Sequence, residues 1–364
     1  MSKVANNLLI AASGTGGHIF PALTIANEID YLWDITWLGI KNRCEEQLVP
    51  KRFKLFTLKF STPKKKNICL IFQYLRILFA TFEIIKIIKK NNITLVFTTG
   101  GYISAPTILA AKILKIPVII HESNIIPGTV TKFFGRFCNF VLIGFKETEK
   151  YLKNLNIIYT GTPIREQFYS KQKLPPWVPK GDTPLILVMG GSQGAQAIND
   201  MLKNCLDFLL FKNLRVVHIL GDSKSLDLEY YSLKNYIQIK FTNEIPALMQ
   251  NCDLVISRSG AGAINELMCT KKPSILVPYP NAKSNHQEKN ALLLASIGGS
   301  ILINQSSKSK IFLKNILSRM FDSKDFSASK SEILASMNQN MLKIKFKDSR
   351  EEIKKIINQF KKED

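Results

Sequence analysis

Twice in this chain, once in each half, a short apolar run ends in a glycine-rich turn. LLIAA leads into Ser13-Gly14-Thr15-Gly16-Gly17-His18, and LILVM leads into Gly190-Gly191-Ser192-Gln193-Gly194-Ala195. Each run has the length of a fully buried parallel strand, and helix-compatible sequence follows each turn, so both read as strand, tight turn and helix start. Free backbone N–H groups and the positive end of the helix dipole attract anions there, and missing side chains let a phosphate or sugar come close. Two such junctions point to two nucleotide-binding-like halves facing one another.

The rest of the chain repeats this grammar. Apolar runs alternate with helical patterns: LLIAA, a helix after Pro21, DITWLGI, ITLVFTTGG, PVIIHES and FVLIGF, then LILVMGG, LRVVHILG, YIQIKF, CDLVISRSG and PSILVPY. Such alternation argues for α/β domains built on parallel sheets covered on both faces. A chain of 364 residues exceeds what one core organises, so two domains are expected. Residues 169–184 hold Pro175, Pro176, Pro179, Gly181 and Pro184, a linker-like composition, and the boundary is placed there or just before it.

The net charge of +22 implies an anionic partner: nucleic acid, an acidic lipid surface or a phosphorylated substrate. No aromatic stacking motif or basic module accompanies the spread lysines, which argues against nucleic acid. The six cysteines (Cys44, Cys69, Cys138, Cys205, Cys252, Cys269) form no CxxC pair and read as reduced and cytosolic. The first residues lack a basic stretch with a small-residue cleavage site, so a secretory signal is not expected. Residues 67–90 are strongly apolar but interrupted by Arg76, Glu83 and Lys86, with Lys64, Lys65 and Lys66 before them and Lys89 and Lys90 at their end. Central charges make a span of about 20 residues costly. Two readings fit, an amphipathic helix on an anionic bilayer or a long core helix. Residues 343–362 read as a basic terminal helix.

The first turn departs from the dinucleotide fingerprint, because Ile19 stands at the third glycine position and DITWLGI runs into Lys41 with no acid at its end. No GxxxxGK[ST] occurs, so nucleotide triphosphate hydrolysis by a P-loop loses its main support. Of four histidines, His18, His121 and His286 sit at expected strand ends, where open parallel sheets bind ligands, and read as site residues; His218 alternates within VVHIL and reads as packing. Ser257-Arg258-Ser259-Gly260-Ala261-Gly262-Ala263-Ile264-Asn265-Glu266 opens another helix, whose small residues can cradle a diphosphate while Glu266 accepts hydrogen bonds from ribose hydroxyls. Asn285, His286, Gln287 and Asn290 carry amide and imidazole groups suited to sugar hydroxyls. No DxD pair stands at a strand end, since Asp227-Leu228-Glu229 lies in a polar stretch. A sugar nucleotide's diphosphate would therefore be neutralised by helix ends and Arg165, without a metal or other cofactor.

GTGGHIFPA, TTGGYISAP, HESNIIPG, GTPIR, GGSQGAQ, SRSGAGAINEL and NHQEKNA, in that order, resemble the MurG family of peptidoglycan N-acetylglucosaminyltransferases over nearly the whole chain. The resemblance implies the GT-B architecture: two Rossmann-like α/β domains with parallel sheets facing across a cleft. Residues 1–165 would form an acceptor and membrane-facing domain, rejoined by a C-terminal helix at about 343–364, and 166–342 the domain that binds UDP-N-acetylglucosamine. It assigns Thr15, Gly16, Gly17, Asn124, Arg165, Ser192, Ile245, Ala261, Gly262, Ala263, Ile264, Asn265, Glu266 and Gln287 to the donor. Ile245 would meet the uracil, Glu266 the ribose, Ser192 and the 261–264 turn the phosphates, and Gln287 with Asn290 the sugar. Tyr102, Glu122 and the N-terminal glycines would face the acceptor, lipid I. The resemblance also favours the membrane reading of part of 67–90, at the cytoplasmic face of the inner membrane.

The implied reaction is an inverting displacement by the C4 hydroxyl of the lipid-linked N-acetylmuramic acid. Helix N-termini and Arg165 would stabilise the departing phosphate. His18 is the first choice of base because an imidazole titrates near neutrality, and Glu122 the second. A UDP-N-acetylglucosamine 2-epimerase and another GT-B glycolipid transferase share the donor half and stay open as alternatives.

Overall fold

A strand buried on both faces needs apolar side chains pointing both ways, and LLIAA and LILVM supply them without a break: every residue of both is buried. The structure, a computed structural model, describes residues 6–59, 70–191, 194–221, 234–321 and 331–361, and of 70–74 the backbone alone. The chain divides into two compact units, Met1–Arg165 with Lys347–Asp364, and Glu166–Phe346.

The first unit runs β1 (Asn7–Ala11), α1 (Gly16–Ile29), β2 (Asp34–Ile40), α2 (Glu45–Leu48), β3 (Lys54–Leu58), α3 (Leu70–Lys90), β4 (Leu95–Thr98), α4 (Ser104–Ile113), β5 (Val118–Glu122), α5 (Thr129–Phe134), β6 (Phe140–Ile143) and β7 (Ile157–Tyr159). Its described strands form one parallel sheet in the order β3-β2-β1-β4-β5-β6-β7. Alternation along β1 divides the core. Leu8 and Ile10 face a cluster containing Ile19, Ile25 and Ile29 of α1, and Leu9 and Ala11 face one containing Ile84 and Ile88 of α3.

The second unit runs β8 (Leu185–Met189), α6 (Gln196–Lys203), α7 (Leu206–Phe211), β9 (Arg215–Ile219), β10 (Tyr236–Ile239), α8 (Ile245–Asn251), β11 (Leu254–Ser257), α9 (Ala261–Thr270), β12 (Ser274–Leu276), α10 (His286–Ala295), β13 (Ser300–Leu302), α11 (Ser309–Phe321) and α12 (Glu332–Leu342). Its sheet, also parallel, is ordered β10-β9-β8-β11-β12-β13. In each sheet the strand order reverses beside the first strand, between β1 and β4 and between β8 and β11. Ligands of open parallel sheets bind beyond the carboxyl ends at such a switch point. The glycine motifs SGTGGH and TTGG, and in the second unit GGSQGA and SRSGAG, all follow these four strands.

Several local expectations change. The first helix begins at Gly16, ahead of Pro21, which lies inside it. Residues 169–184 belong to the second unit and are fastened to it, where Arg215 donates to the Thr183 carbonyl at 2.7 Å and the Pro179 carbonyl at 3.1 Å, and Val178 is buried. The terminal helix is shorter than 343–362: α13 (Arg350–Asn358) starts where Asp348 Oδ1 accepts from the Arg350 N–H at 3.0 Å. Ile353, Ile356 and Ile357 of α13 complete the α1 side of the first core, and Trp33 Nε1 donates to Asn358 Oδ1 at 2.9 Å.

Of 67–90, residues 70–90 form α3. Ala80, Thr81, Ile84 and Ile88 turn inward, whereas Leu75, Leu78, Phe79 and Phe82 stand exposed beside Arg76, Lys86, Lys89 and Lys90. Among the described residues no helix is long and apolar enough to cross a membrane. Ser192, Asp227, Glu229, Lys64, Lys65, Lys66 and residues 67–69 lie outside the described residues.

Candidate functional site

The turn after β1 is shaped by Gly14, whose φ of +106° suits a residue without Cβ. Thr15 is the N-cap of α1 through its backbone alone; its carbonyl accepts from the His18 and Ile19 N–H groups at 3.0 and 3.2 Å. His18 Nδ1 lies 2.7 Å from the Thr99 carbonyl, and the Thr99 hydroxyl donates back to the His18 carbonyl at 2.8 Å. A carbonyl only accepts, so Nδ1 carries the proton and the lone pair of the neutral ring is on Nε2. Gly100 and Gly101, at φ +85° and +83°, lay the TTGG backbone against the imidazole, and exposed Tyr102 follows. One donor of this turn is already taken: the Gly14 N–H bonds to Glu45 Oε2 at 3.3 Å. That narrows the expected anion cradle to the glycines at the start of α1, Gly16 and Gly17.

Glu122 ends β5 and is buried. Its Oε1 accepts from the Asn124 N–H at 3.0 Å and side-chain amide at 3.2 Å, and its Oε2 from the Gly128 N–H and the Thr131 hydroxyl, both at 2.8 Å. Four donors leave this carboxylate no vacant lone pair for a substrate proton, and the second choice of base is corrected to a clamp on the 122–131 loop. Asn124 is part of that clamp. His121 is also corrected: it is fully buried, donates from Nε2 to the Gly161 carbonyl at 2.9 Å, and burial lowers its pKa. Arg165, the last residue before the second unit, holds its guanidinium 5.1 Å from the Phe20 ring centre.

In the second unit, Gly191 at φ +88° and Gly194 at φ +71° turn the chain after β8, closed by the Gly194 N–H on the Gly191 carbonyl at 2.9 Å. After β11, α9 opens with Gly260 as N-cap, no capping side chain and no acid in the first turn. A Cβ on Gly260 or Gly262 would meet nothing within 4 Å. The first N–H groups of this helix thus stand bare at the switch point, as an anion site requires. Half-buried Glu266 lies farther along α9, and half-buried Ile245 begins α8.

Four assignments change character here. Ile264 is fully buried in packing, and buried Asn265 donates back to the Ala261 carbonyl at 2.8 Å, so neither side chain is offered to a ligand. Asn290 is buried and bonds the Ser259 carbonyl at 3.3 Å. Gln287 accepts from the Tyr279 N–H at 2.9 Å while its carbonyl takes the Ser259 hydroxyl at 2.8 Å. Half-buried His286 is turned back on the Lys283 carbonyl at 2.8 Å. These bonds knit the α9 entry to the start of α10. Sequence reasoning gave Arg258 no role, yet its Nη1 donates to the Val277 and Pro278 carbonyls, both at 3.0 Å, and ties in the loop after β12. Thr99 and Glu45 were missed as well; only Thr99 lies in a quoted motif. Among the described residues no group of three His, Cys, Asp or Glu could hold a metal ion.

His218 packs in the second core as expected, but with polar partners: Tyr236 Oη and Asn199 Oδ1, each at 2.9 Å. Burial pushes its pKa down to about 3. The unfolded chain therefore binds a proton that the folded chain refuses as pH falls below about 6.5. Stability is unaffected above that pH, declines by about 1.4 kcal/mol per pH unit for this site, and levels off below the folded pKa. Urea unfolding from pH 7 to 4 should show that slope, reduced in His218→Gln; an unchanged slope would contradict the assignment.

Residues 8–143 match the glycosyltransferase family 28 N-terminal domain and residues 185–356 its C-terminal domain. A protein of Prochlorococcus marinus subsp. pastoris is 59% identical over 364 residues, all of both chains. Its name is UDP-N-acetylglucosamine--N-acetylmuramyl-(pentapeptide) pyrophosphoryl-undecaprenol N-acetylglucosamine transferase. Another of that name, from Prochlorococcus marinus strain NATL2A, is 47% identical over 87% of this chain and 91% of its own. The crystal structure of Acinetobacter baumannii MurG superposes with a TM-score of 0.73 at 24% identity, covering 98% of this chain and 99% of that one. A Listeria monocytogenes protein assigned as a UDP-N-acetylglucosamine 2-epimerase reaches 0.66 at 12% identity, covering 98% and 96%. At such identities the two structures speak for the fold alone.

Proposed function

The chain belongs to glycosyltransferase family 28, and from its GT-B fold and its site we propose a UDP-N-acetylglucosamine-dependent glycosyltransferase of peptidoglycan synthesis. It moves N-acetylglucosamine to lipid I, undecaprenyl-diphospho-N-acetylmuramoyl-pentapeptide, and so makes lipid II. The observation that carries this reading is the bare start of α9, where open glycines leave helix N–H groups free for a diphosphate. The full-length likeness to transferases, against fold-level likeness to an epimerase, favours transfer over isomerisation.

In this reading the C4 hydroxyl of the acceptor forms a bond to C1 of the donor sugar as the bond from C1 to the UDP oxygen breaks. His18 Nε2 takes the hydroxyl proton, the configuration at C1 inverts from α to β, and UDP leaves with the electron pair. Charge growing on the departing phosphate is met by the N–H groups of Ala261, Gly262 and Ala263, with Ser192 and Arg165 as further partners. Thr15, Gly16 and Gly17 serve the donor, the glycines and Tyr102 also the acceptor side, Glu266 the ribose, Ile245 the uracil and Gln287 the sugar. Labelled UDP-N-acetylglucosamine should yield lipid II only when lipid I is present, and should do so in excess chelator. Conversion of the donor alone would favour an epimerase, and abolition by chelator would overturn the helix-end account of the phosphate.

The enzyme works as a peripheral protein on the cytoplasmic face of the inner membrane, with α3 as its contact. Leu75, Leu78, Phe79 and Phe82 give an exposed apolar stripe, and Arg76, Lys86, Lys89 and Lys90 suit anionic headgroups. Burying one Phe side chain is worth about 1.5–3 kcal/mol. Phe79→Asp with Phe82→Asp should therefore weaken sedimentation with phosphatidylglycerol vesicles by more than about tenfold. Turnover of a water-soluble acceptor analogue should stay as in the parent. Unchanged sedimentation would remove α3 as the membrane face.

A further inference from the structure

Glu45 is fully buried, yet the reaction as derived does not use it. It is the first residue of α2, beyond the end of β2, and its side chain reaches back beneath the turn that precedes α1. Oε1 accepts from the Ile40 N–H at 2.6 Å and from the Ser13 hydroxyl; Oε2 accepts from the Gly14 N–H at 3.3 Å. Gly39 makes room for it, since a Cβ there would lie 2.6 Å from Glu45 Cγ. The same chain end is held by Trp37 Nε1 on the Ala12 carbonyl at 3.0 Å and, from the β4 side, by the Thr98 hydroxyl on the Ala11 carbonyl at 2.7 Å.

We propose that Glu45 is a positioning residue: its carboxylate fixes the Ser13–Gly14 turn and so sets the first turn of α1 that carries His18. This rests on the assignment of His18 as the base. A turn with a positive-φ glycine has little stiffness of its own, and the Thr99 contact fixes only the ring and the His18 carbonyl. The carboxylate supplies the second anchor, four residues before His18. It also occupies the Gly14 N–H with a protein acceptor, which removes that donor from a ligand.

Glu45→Gln separates positioning from folding. Its amide oxygen can still serve Ile40 and Ser13, but its NH₂ meets the Gly14 N–H donor to donor, so one anchor is lost within an unchanged volume. Catalytic geometry loosened by about 1 Å can lower the rate by roughly a hundredfold. The expected result is a kcat reduced by about 10- to 100-fold with KM for UDP-N-acetylglucosamine and calorimetric UDP affinity within about twofold of the parent. Glu45→Asp, too short to span both anchors, should show the same split. A kcat per UDP-binding site equal to the parent's, whatever the melting temperature, overturns the proposal. His18→Ala in the same series keeps the two ideas apart. If His18→Ala lowers kcat as expected while Glu45→Gln keeps the parent's kcat, positioning alone fails; if His18→Ala keeps the parent's kcat, the base assignment fails first.

Discussion

His18→Ala is expected to lower kcat by a factor of about 10²–10⁴ while leaving the affinity for UDP-N-acetylglucosamine within about twofold, because a general base acts on the transition state and not on donor binding. The geometry makes this sharper than the residue type alone. Nδ1 is committed to the Thr99 carbonyl at 2.7 Å, so Nε2 is the one ring position able to take a proton, and the TTGG backbone backs the ring. The four donors around Glu122 remove that carboxylate as the alternative base. Steady-state kinetics with calorimetric UDP-N-acetylglucosamine titration decides the matter. Equal losses in kcat and donor affinity would move His18 from proton transfer to binding.

Gly190→Ala should cost the second unit both stability and donor binding. A Cβ there would lie 2.3 Å from the Ala195 nitrogen and 2.6 Å from the Gly194 carbonyl carbon. Backbone cannot step aside as a flexible side chain can, and Gly221 pins the other side, where its own Cβ would sit 2.4 Å from the Gly194 nitrogen. Overpacking of this kind costs about 1–3 kcal/mol and displaces the turn it crowds. The melting temperature should fall, and UDP affinity should weaken by about tenfold or more, since 1.4 kcal/mol already corresponds to tenfold. Gly260→Ala is the contrast: φ is −61° and the added carbon meets open space, so stability should be retained. Normal UDP affinity in Gly190→Ala would mean that the turn after β8 has no part in holding the donor.

Most of the legible strands are buried on both faces, because a parallel strand in that position reads as a continuous apolar run; the edge strand β10, half-buried at every second residue, is the exception. β3, β7 and β13 were not named. They lie at sheet edges, with mostly half-buried residues in KLFTL, IIY and SIL, so no unbroken run marks them. The glycine motifs were legible for a related reason, since a positive φ or a close backbone approach restricts residue choice locally. Roles set by tertiary closure were not. Glu45 meets Gly14 from 31 positions away, and nothing near it in sequence signals a buried carboxylate. His18 and His121 share a strand-end context, yet one is half-exposed and the other sealed behind Gly161 and Ser123. Asn265 and Asn290 sit inside correct motifs but turn toward backbone carbonyls, a direction that only packing determines.

The grip of the α9 entry on a uridine diphosphate sugar is the step on which the proposed transfer depends. Amide hydrogen exchange of the full chain, with and without saturating UDP-N-acetylglucosamine, reads that grip at the N–H groups themselves. Slowed exchange at Ala261, Gly262 and Ala263, which have no capping side chain in the free protein, is the predicted result. Unchanged exchange there in a chain shown to be saturated, with protection confined to other segments, would contradict it.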